Sequence, residues 1–148
     1  MYKHILVPTD GSKLSNAAVK VAAKLAGELG AKITALSVLE PYVPMAESEA
    51  VAFYAPYGEK QYDAAVHKAA ARALSTVKVA AAAAKVKAES LTVTSTTPWR
   101  GIVDTARDKG CDLIIMASHG RSGMGALLLG SETQKVLTHS KIPVLVCR

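Results

Sequence analysis

Two periods alternate along this chain. Short, largely apolar runs (Ile5-Leu6-Val7, Ile33 to Leu39, Leu113 to Met116) are separated by stretches in which apolar residues fall three and four apart. The first pattern predicts buried strands and the second predicts amphipathic helices. Residues 3–7 read as strand one. Pro8-Thr9-Asp10-Gly11-Ser12 follows as a turn, with Ser12 in position to cap a helix. Leu14, Ala18, Val21, Leu25 and Leu29 then form the expected inward stripe of that helix, with Lys13, Asn16, Lys20 and Lys24 between them and Gly30 as its stop.

Residues 32–39 read as strand two. Residues 40–58 hold Pro41, Pro44 and Pro56 and four of the seven aromatic side chains, Tyr42, Phe53, Tyr54 and Tyr57. This is a long loop, either a functional lid or a variable insertion. An alanine-rich helix is expected over 59–88, with Val66, Ala70, Leu74, Val77, Ala81 and Ala84 inward and His67 at the surface. Strand three is expected over 91–95, from its β-branched residues. A helix over 99–109 opens on Pro98, since proline is tolerated in a first helical turn. Residues 112–116 form strand four, residues 131–140 a last helix, and residues 143–147 strand five. Ser131 and Gln134 have the spacing of a capping box. Strands alternating with helices imply an α/β fold, a parallel sheet with helices on both faces. Ligands of such sheets bind beyond the carboxyl ends of the strands, where strand order reverses. The ends of strands one, two and four, at Pro8 to Gly11, Val38 and Ala117 to Gly123, share that rim.

Composition narrows the class. With 148 residues, half of them hydrophobic, and a mean hydropathy of +0.20, the chain suits a single domain spanning 1–148. No apolar run approaches the ~18 residues of a membrane span, and Ile5-Leu6-Val7 before Pro8 is too short for a signal peptide. No membrane association is expected, and a cytoplasmic location follows. The net charge is +6, but the cations are spaced along the chain (Lys13, Lys20, Lys24, Lys32, Lys60, Lys68, Lys85, Lys87) and read as solvated helix faces. Aromatic residues are only 5% and do not interleave with basic ones, so no nucleic acid is expected as a partner. Cys111 and Cys147 flank two different strands; on neighbouring parallel strands they would stand about 15 Å apart, too far for a disulfide.

The segment from Ala117 to Ser131 holds four glycines between a strand and a helix, the arrangement that presents backbone N–H groups to phosphate. It is not a P-loop, because Ser131-Glu132 stands where Lys and Ser/Thr are required. It is not a dinucleotide fingerprint either, because Gly120-x-x-Gly123-x-Gly125 reverses that order. Glycine count alone leaves open a flexible connection with a helix cap.

The motifs together resemble the universal stress protein family, in its nucleotide-binding branch. They are the opening Ile5-Leu6-Val7-Pro8-Thr9-Asp10-Gly11-Ser12, the Ala117-x-x-Gly120 pair in place of the family's G-x-x-G, Gly130-Ser131 after nine intervening residues, and the closing Pro143 to Val146. The similarity runs over essentially the whole chain. The resemblance implies a Rossmann-like fold of the adenine nucleotide alpha hydrolase type, an open five-stranded parallel sheet in the order 3-2-1-4-5. It implies that Pro8, Thr9 and Asp10 line the adenine, with backbone groups of Val38 at the base. Ala117, Ser118 and His119 would approach the ribose and first phosphate. Gly120, Arg121, Ser122 and Gly123 would wrap the phosphates, and Gly130, Ser131, Glu132 and Thr133 would meet the outer ones. One departure is Ala117, where the family has glycine; a methyl there is tolerable unless the backbone needs a positive φ.

The implied ligand is ATP, or AMP or ADP, with Mg²⁺ as a possible companion; no metal ligands are assigned. The implied function is a stress-response or signalling module with little or no turnover. Two alternatives stand beside it. One is a slow ATP hydrolase, with Asp10 or Glu132 assisting a metal and His119 orienting water. The other is a nucleotide-independent interaction protein, since the family also has a branch lacking the motif. The resemblance also places the short, apolar C-terminal strand, 143–147, at a sheet edge, and a homodimer through it is expected.

Overall fold

A computed structural model describes residues 1–43, 58–120 and 129–148. The chain runs β1 (His4–Pro8), α1 (Lys13–Leu29), β2 (Lys32–Leu39), α2 (Glu59–Ala83), β3 (Ala88–Thr94), α3 (Pro98–Asp108), β4 (Leu113–Ala117), α4 (Ser131–His139) and β5 (Val144–Cys147). The strands form one parallel sheet in the order β3-β2-β1-β4-β5. The chain builds outward from β1 through β2 to β3, then returns to place β4 on the other side of β1. That reversal leaves a crevice above the carboxyl ends of β1 and β4.

Alternation along the buried strands feeds two cores. Ile5, Val7, Ile33, Ala35, Leu113 and Ile115 face α1 and α2, whereas Leu6, Leu36, Ile114 and Met116 face α3 and α4. Ser12 caps α1 by accepting from the N–H of Ser15, and Gly30 closes it in the left-handed conformation at φ 65°.

Four expectations need correction. The inner face of α1 is Ser15, Ala18, Val19, Ala22, Ala23 and Ala26, one step round from the expected stripe; Leu14 and Val21 are exposed. Alanine packs this helix close to its neighbours: a Cβ on Gly27 would stand 3.3 Å from the carbonyl oxygen of Ala84. Second, α2 ends at Ala83 rather than 88, because Lys85 takes a positive φ of 56° and breaks the helix. Third, β3 accordingly begins earlier, pairing with β2 from Ala88. Fourth, Ser131 and Gln134 form no capping box. The N-cap is Gly130, Ser131 is the first helical residue, and the Gln134 amide donates instead to the carbonyl of Leu129.

His67 is exposed, as expected. Both cysteines are free thiols, and burial pushes that of Cys111 up to about 11. Most of the aromatic loop (44–57) lies outside the described residues. Its flanks are tied together where the Tyr62 hydroxyl donates to the carbonyl of Glu40 at 2.8 Å and the rings of Tyr42 and Tyr62 meet at 5.5 Å. Among the described residues no helix is long and apolar enough to cross a membrane.

Candidate functional site

The turn after β1 is held by its own short side chains. The N–H of Thr9 donates to the Leu36 carbonyl at 2.8 Å, keeping the turn on the sheet past the end of β1. The hydroxyl of Thr9 accepts from the N–H of Gly11 and from the Ser15 hydroxyl, the latter at 2.7 Å. Asp10 Oδ1 accepts from the N–H of Ser12 at 2.9 Å, an Asx turn. Gly11, at φ 77°, supplies the left-handed residue this turn requires. One carboxylate oxygen of Asp10 is thereby tied to the turn, while the other faces across the crevice. It reaches Gly120: a Cβ there would lie 2.9 Å from Asp10 Oδ2. Glycine at 120 is what lets the β1 turn and the loop after β4 touch.

On the β4 side, three bonds fix the strand end, one to β5 and two to the start of α4. The N–H of Ser118 donates to the Cys147 carbonyl and the N–H of Gly130 to the Ser118 carbonyl, both at 2.8 Å. The buried Thr133 hydroxyl donates to the carbonyl of Ala117 at 3.1 Å. A Cβ on Gly130 would come within 3.0 Å of the Ser118 carbonyl oxygen, so glycine is needed for this latch. Ala117 is buried inside β4 and is not among the residues with positive φ, so its methyl imposes no backbone strain. The Ser118 hydroxyl and His119 Nδ1 lie 2.9 Å apart, whereas the buried Nε2 of His119 has no partner among the described residues.

Helix α4 starts without a side-chain cap. Its first N–H groups, at Ser131, Glu132 and Thr133, therefore carry the partial positive charge of an uncapped helix end. The side chain of Glu132 does not face these groups. Its carboxylate accepts from the N–H of Trp99 at 2.8 Å, where α3 begins, and pairs with Lys135 at 3.2 Å. Glu40, at the end of β2, has its carboxyl raised by burial and then by the charge of Glu132.

Val38 contributes differently from its neighbours. The carbonyl of Leu36 points to β1 and that of Leu39 to β3, where it accepts from Ser95. By alternation the N–H and C=O of Val38 point toward β1, past the last rung at Pro8 and Leu36. Its side chain packs against Gly101 of α3, whose Cβ would stand 3.3 Å away.

The fold thus gathers Pro8, Thr9, Asp10, Val38, Ala117, Ser118, His119, Gly120, Gly130, Ser131 and Thr133 along one rim. Arg121, Ser122 and Gly123 lie outside the described residues. Three supporting residues escaped the sequence reading. Ser15 locks Thr9, and its position three after Ser12 was a usable signal. Trp99 engages Glu132 and Glu40 feels its charge; neither relation has a local sequence signature. Chemically the rim brings aligned N–H donors for an anion beside the Asp10 carboxylate and a buried imidazole nitrogen without a partner among the described residues.

A model of the universal stress protein family matches residues 1–148. The chain is 33% identical over 149 residues to universal stress protein YxiE of Bacillus subtilis, covering all of both chains. It is 32% identical over 150 residues to universal stress protein MJ0531 of Methanocaldococcus jannaschii, covering 100% of this chain and 83% of that one. Among solved structures it resembles MJ0577 of the same organism, with a TM-score of 0.80 at 30% identity, covering 99% and 96% of the two chains. It also resembles a universal stress protein in complex with cAMP, with a TM-score of 0.64 at 27% identity, covering 98% and 95%. The five-stranded parallel sheet, the Asp10 turn held against Gly120, and these whole-length similarities agree: the chain belongs to the universal stress protein family.

Proposed function

We propose that this protein binds an adenine nucleotide, ATP or its AMP or ADP relatives, along the rim above β1 and β4, and acts as a stress-response module with little or no turnover. The observation that carries this reading is the uncapped start of α4, latched through Gly130 to Ser118 beside the Asp10–Gly120 contact. Anions favour such a helix end. The orientation of the Val38 peptide toward the gap beyond β1 supports an adenine there, with Pro8, Thr9 and Asp10 beside it. Ser118 and His119 approach the ribose and first phosphate, and the N–H groups of Ser131, Glu132 and Thr133 meet the outer phosphates. Glu132 contributes through its backbone, since its carboxylate is committed to Trp99 and Lys135. The similar structure holding cAMP supports the nucleotide class.

Isothermal titration with ATP, ADP and AMP, with and without Mg²⁺, is the direct test. Saturable heat lost in Gly130→Val is expected; no heat at millimolar ligand would replace this reading with a nucleotide-independent interaction protein. The buried Nε2 of His119, without a partner among the described residues, is the observation behind one second reading, slow hydrolysis. Single-turnover assays with labelled ATP separate the two. Phosphate release well above the solution rate and abolished by His119→Ala would establish the hydrolase.

A further inference from the structure

We infer that Glu132 is a positioning residue for the phosphates of the bound nucleotide: its carboxylate ties the start of α4 to the start of α3, which leaves the first N–H groups of α4 fixed and open. This role rests on the nucleotide reading above and belongs to a side chain that reaches no phosphate itself.

Glu132 is the second residue of α4. An acidic side chain in a first helical turn is ordinarily drawn to its own helix, by the N–H groups and the dipole there. In that place it would occupy the helix end that a phosphate needs. Instead its Oε2 accepts from the N–H of Trp99 at 2.8 Å and its Oε1 from Lys135 Nζ at 3.2 Å. Both oxygens are thus engaged away from the N–H groups of Ser131, Glu132 and Thr133.

Helix α3 takes this carboxylate because it lacks a cap of its own. Thr97, at the N-cap, makes no side-chain cap bond, and Pro98 in the first helical turn has no N–H. Trp99 therefore offers the first N–H of the helix, where an anion is favoured. Its partner lies 33 residues further on, so this cap exists only once α3 and α4 have packed together.

The same tryptophan holds the other end of α4. Its ring stacks on that of His139, with 4.2 Å between centroids and 27° between planes. Glu132, Val136 and His139 recur at helical spacing, so one face of α4 meets α3. Val136 is fully buried in the core against which Trp99 packs. Thr133, one residue round the helix, bonds the carbonyl of Ala117. Helix α4 is thereby fixed in direction as well as in place. Donors already aimed at an anion lose little freedom when it arrives. The charge of Glu132 alone would repel a phosphate nearby. Its charge and its position therefore act on affinity in opposite senses.

The test is calorimetric titration of ATP and of adenosine into the full chain and three variants. Glu132→Ala should weaken ATP about tenfold and leave adenosine unchanged. Glu132→Asp keeps the charge but falls short of Trp99, and should lose ATP affinity in the same way. Glu132→Gln loses the charge, but its amide oxygen still accepts from the Trp99 N–H, and it should bind ATP as tightly as the parent chain or more so. Trp99 is the one tryptophan of the chain, so its emission should shift on ATP binding in the parent and in Glu132→Gln, and not in Glu132→Asp. Tighter ATP binding in both Glu132→Ala and Glu132→Gln would reduce Glu132 to a repelling charge and overturn the role. Parent-like ATP affinity in Glu132→Asp, or equal losses for ATP and adenosine, would overturn it while leaving the nucleotide reading in place. A parent chain that binds no ATP would overturn that reading and this role with it.

Discussion

Single side chains decide both the rim and its opposite end. Gly120 separates a functional from a structural role. Among the described residues a Cβ there would meet the tip of the Asp10 side chain rather than backbone, so Gly120→Ala should leave the melting temperature nearly unchanged. The displaced carboxylate should weaken nucleotide binding about tenfold, and adding Gly120→Ala to Asp10→Ala should cost nothing further. Calorimetric titration of both single variants and the double checks this; additive losses would mean the two residues act separately. At the other end of β1, His4 is buried, and its Nε2 lies 2.7 Å from the Thr34 hydroxyl, which donates to Glu89 at 2.9 Å. Burial, then the charge of Lys32, holds the imidazole below its ordinary 6.5. The folded state thus prefers neutral His4, and the unfolded chain takes up the proton first. Its contribution to stability is complete above pH 6.5 and is lost as pH falls from there through the folded value. Glu89 is lowered by the Thr34 hydrogen bond; Asp112 is lowered, against its burial, by the N–H groups of His4 and Lys3. Both act only further down, below 4.5 and 3.8. Denaturant melts across this range should show a shallower pH slope below 6.5 for His4→Gln; an identical slope would sink the assignment.

Elements were legible in proportion to how far local chemistry decides them. The caps of α1 at Ser12 and Gly30 were readable because a single side chain or a single φ makes each. The inner face of α1 was not, because leucine dominates a periodicity reading while the neighbouring sheet and α2 select for small size. Ala22 is fully buried, whereas Val21 is 44% exposed. Val21→Lys should therefore shift stability by no more than about 0.5 kcal/mol. Ala22→Leu should cost about 1–3 kcal/mol by overpacking. Urea denaturation of the pair measures both, and equal losses would return the stripe to its sequence-read position. The end of α2 was illegible for a related reason: alanine and lysine both favour helix, and only tertiary packing places Lys85 in the left-handed turn. The start of α4 misled in the opposite sense. Ser131 and Gln134 have capping spacing, but Gly130 must approach Ser118 and takes the cap position itself. The site was legible as a set of segments, while the contacts between them, Asp10 with Gly120 and Thr133 with Ala117, exist only once the strands are ordered.

At the scale of the whole molecule the sheet ends in two unlike edges. The β3 edge carries exposed Glu89, Thr92 and Thr94, polar residues that discourage pairing with another chain. The β5 edge is apolar: Leu145 is 39% exposed, and Val144, Val146 and Cys147 are half-buried. We propose that β5 pairs with its copy across a two-fold axis, which would join two sheets and cover both edges. The ladder to β4 says which backbone groups are available. The carbonyls of Pro143 and Cys147 accept from Ile114 and Ser118, so the odd positions of β5 point inward to β4. The N–H and C=O groups of Val144 and Val146 then point outward, away from β4. Proline at 146 would delete one outward N–H while leaving the inner ladder intact, as proline is tolerated on an edge strand. Light scattering at micromolar concentration should find the unmodified chain dimeric and Val146→Pro monomeric. Circular dichroism should find the same secondary structure in both. A monomeric parent chain would end the proposal. A Val146→Pro variant that stays dimeric would move the interface to another surface, because that N–H is one of only two outward donors, with Val144, on this four-residue strand.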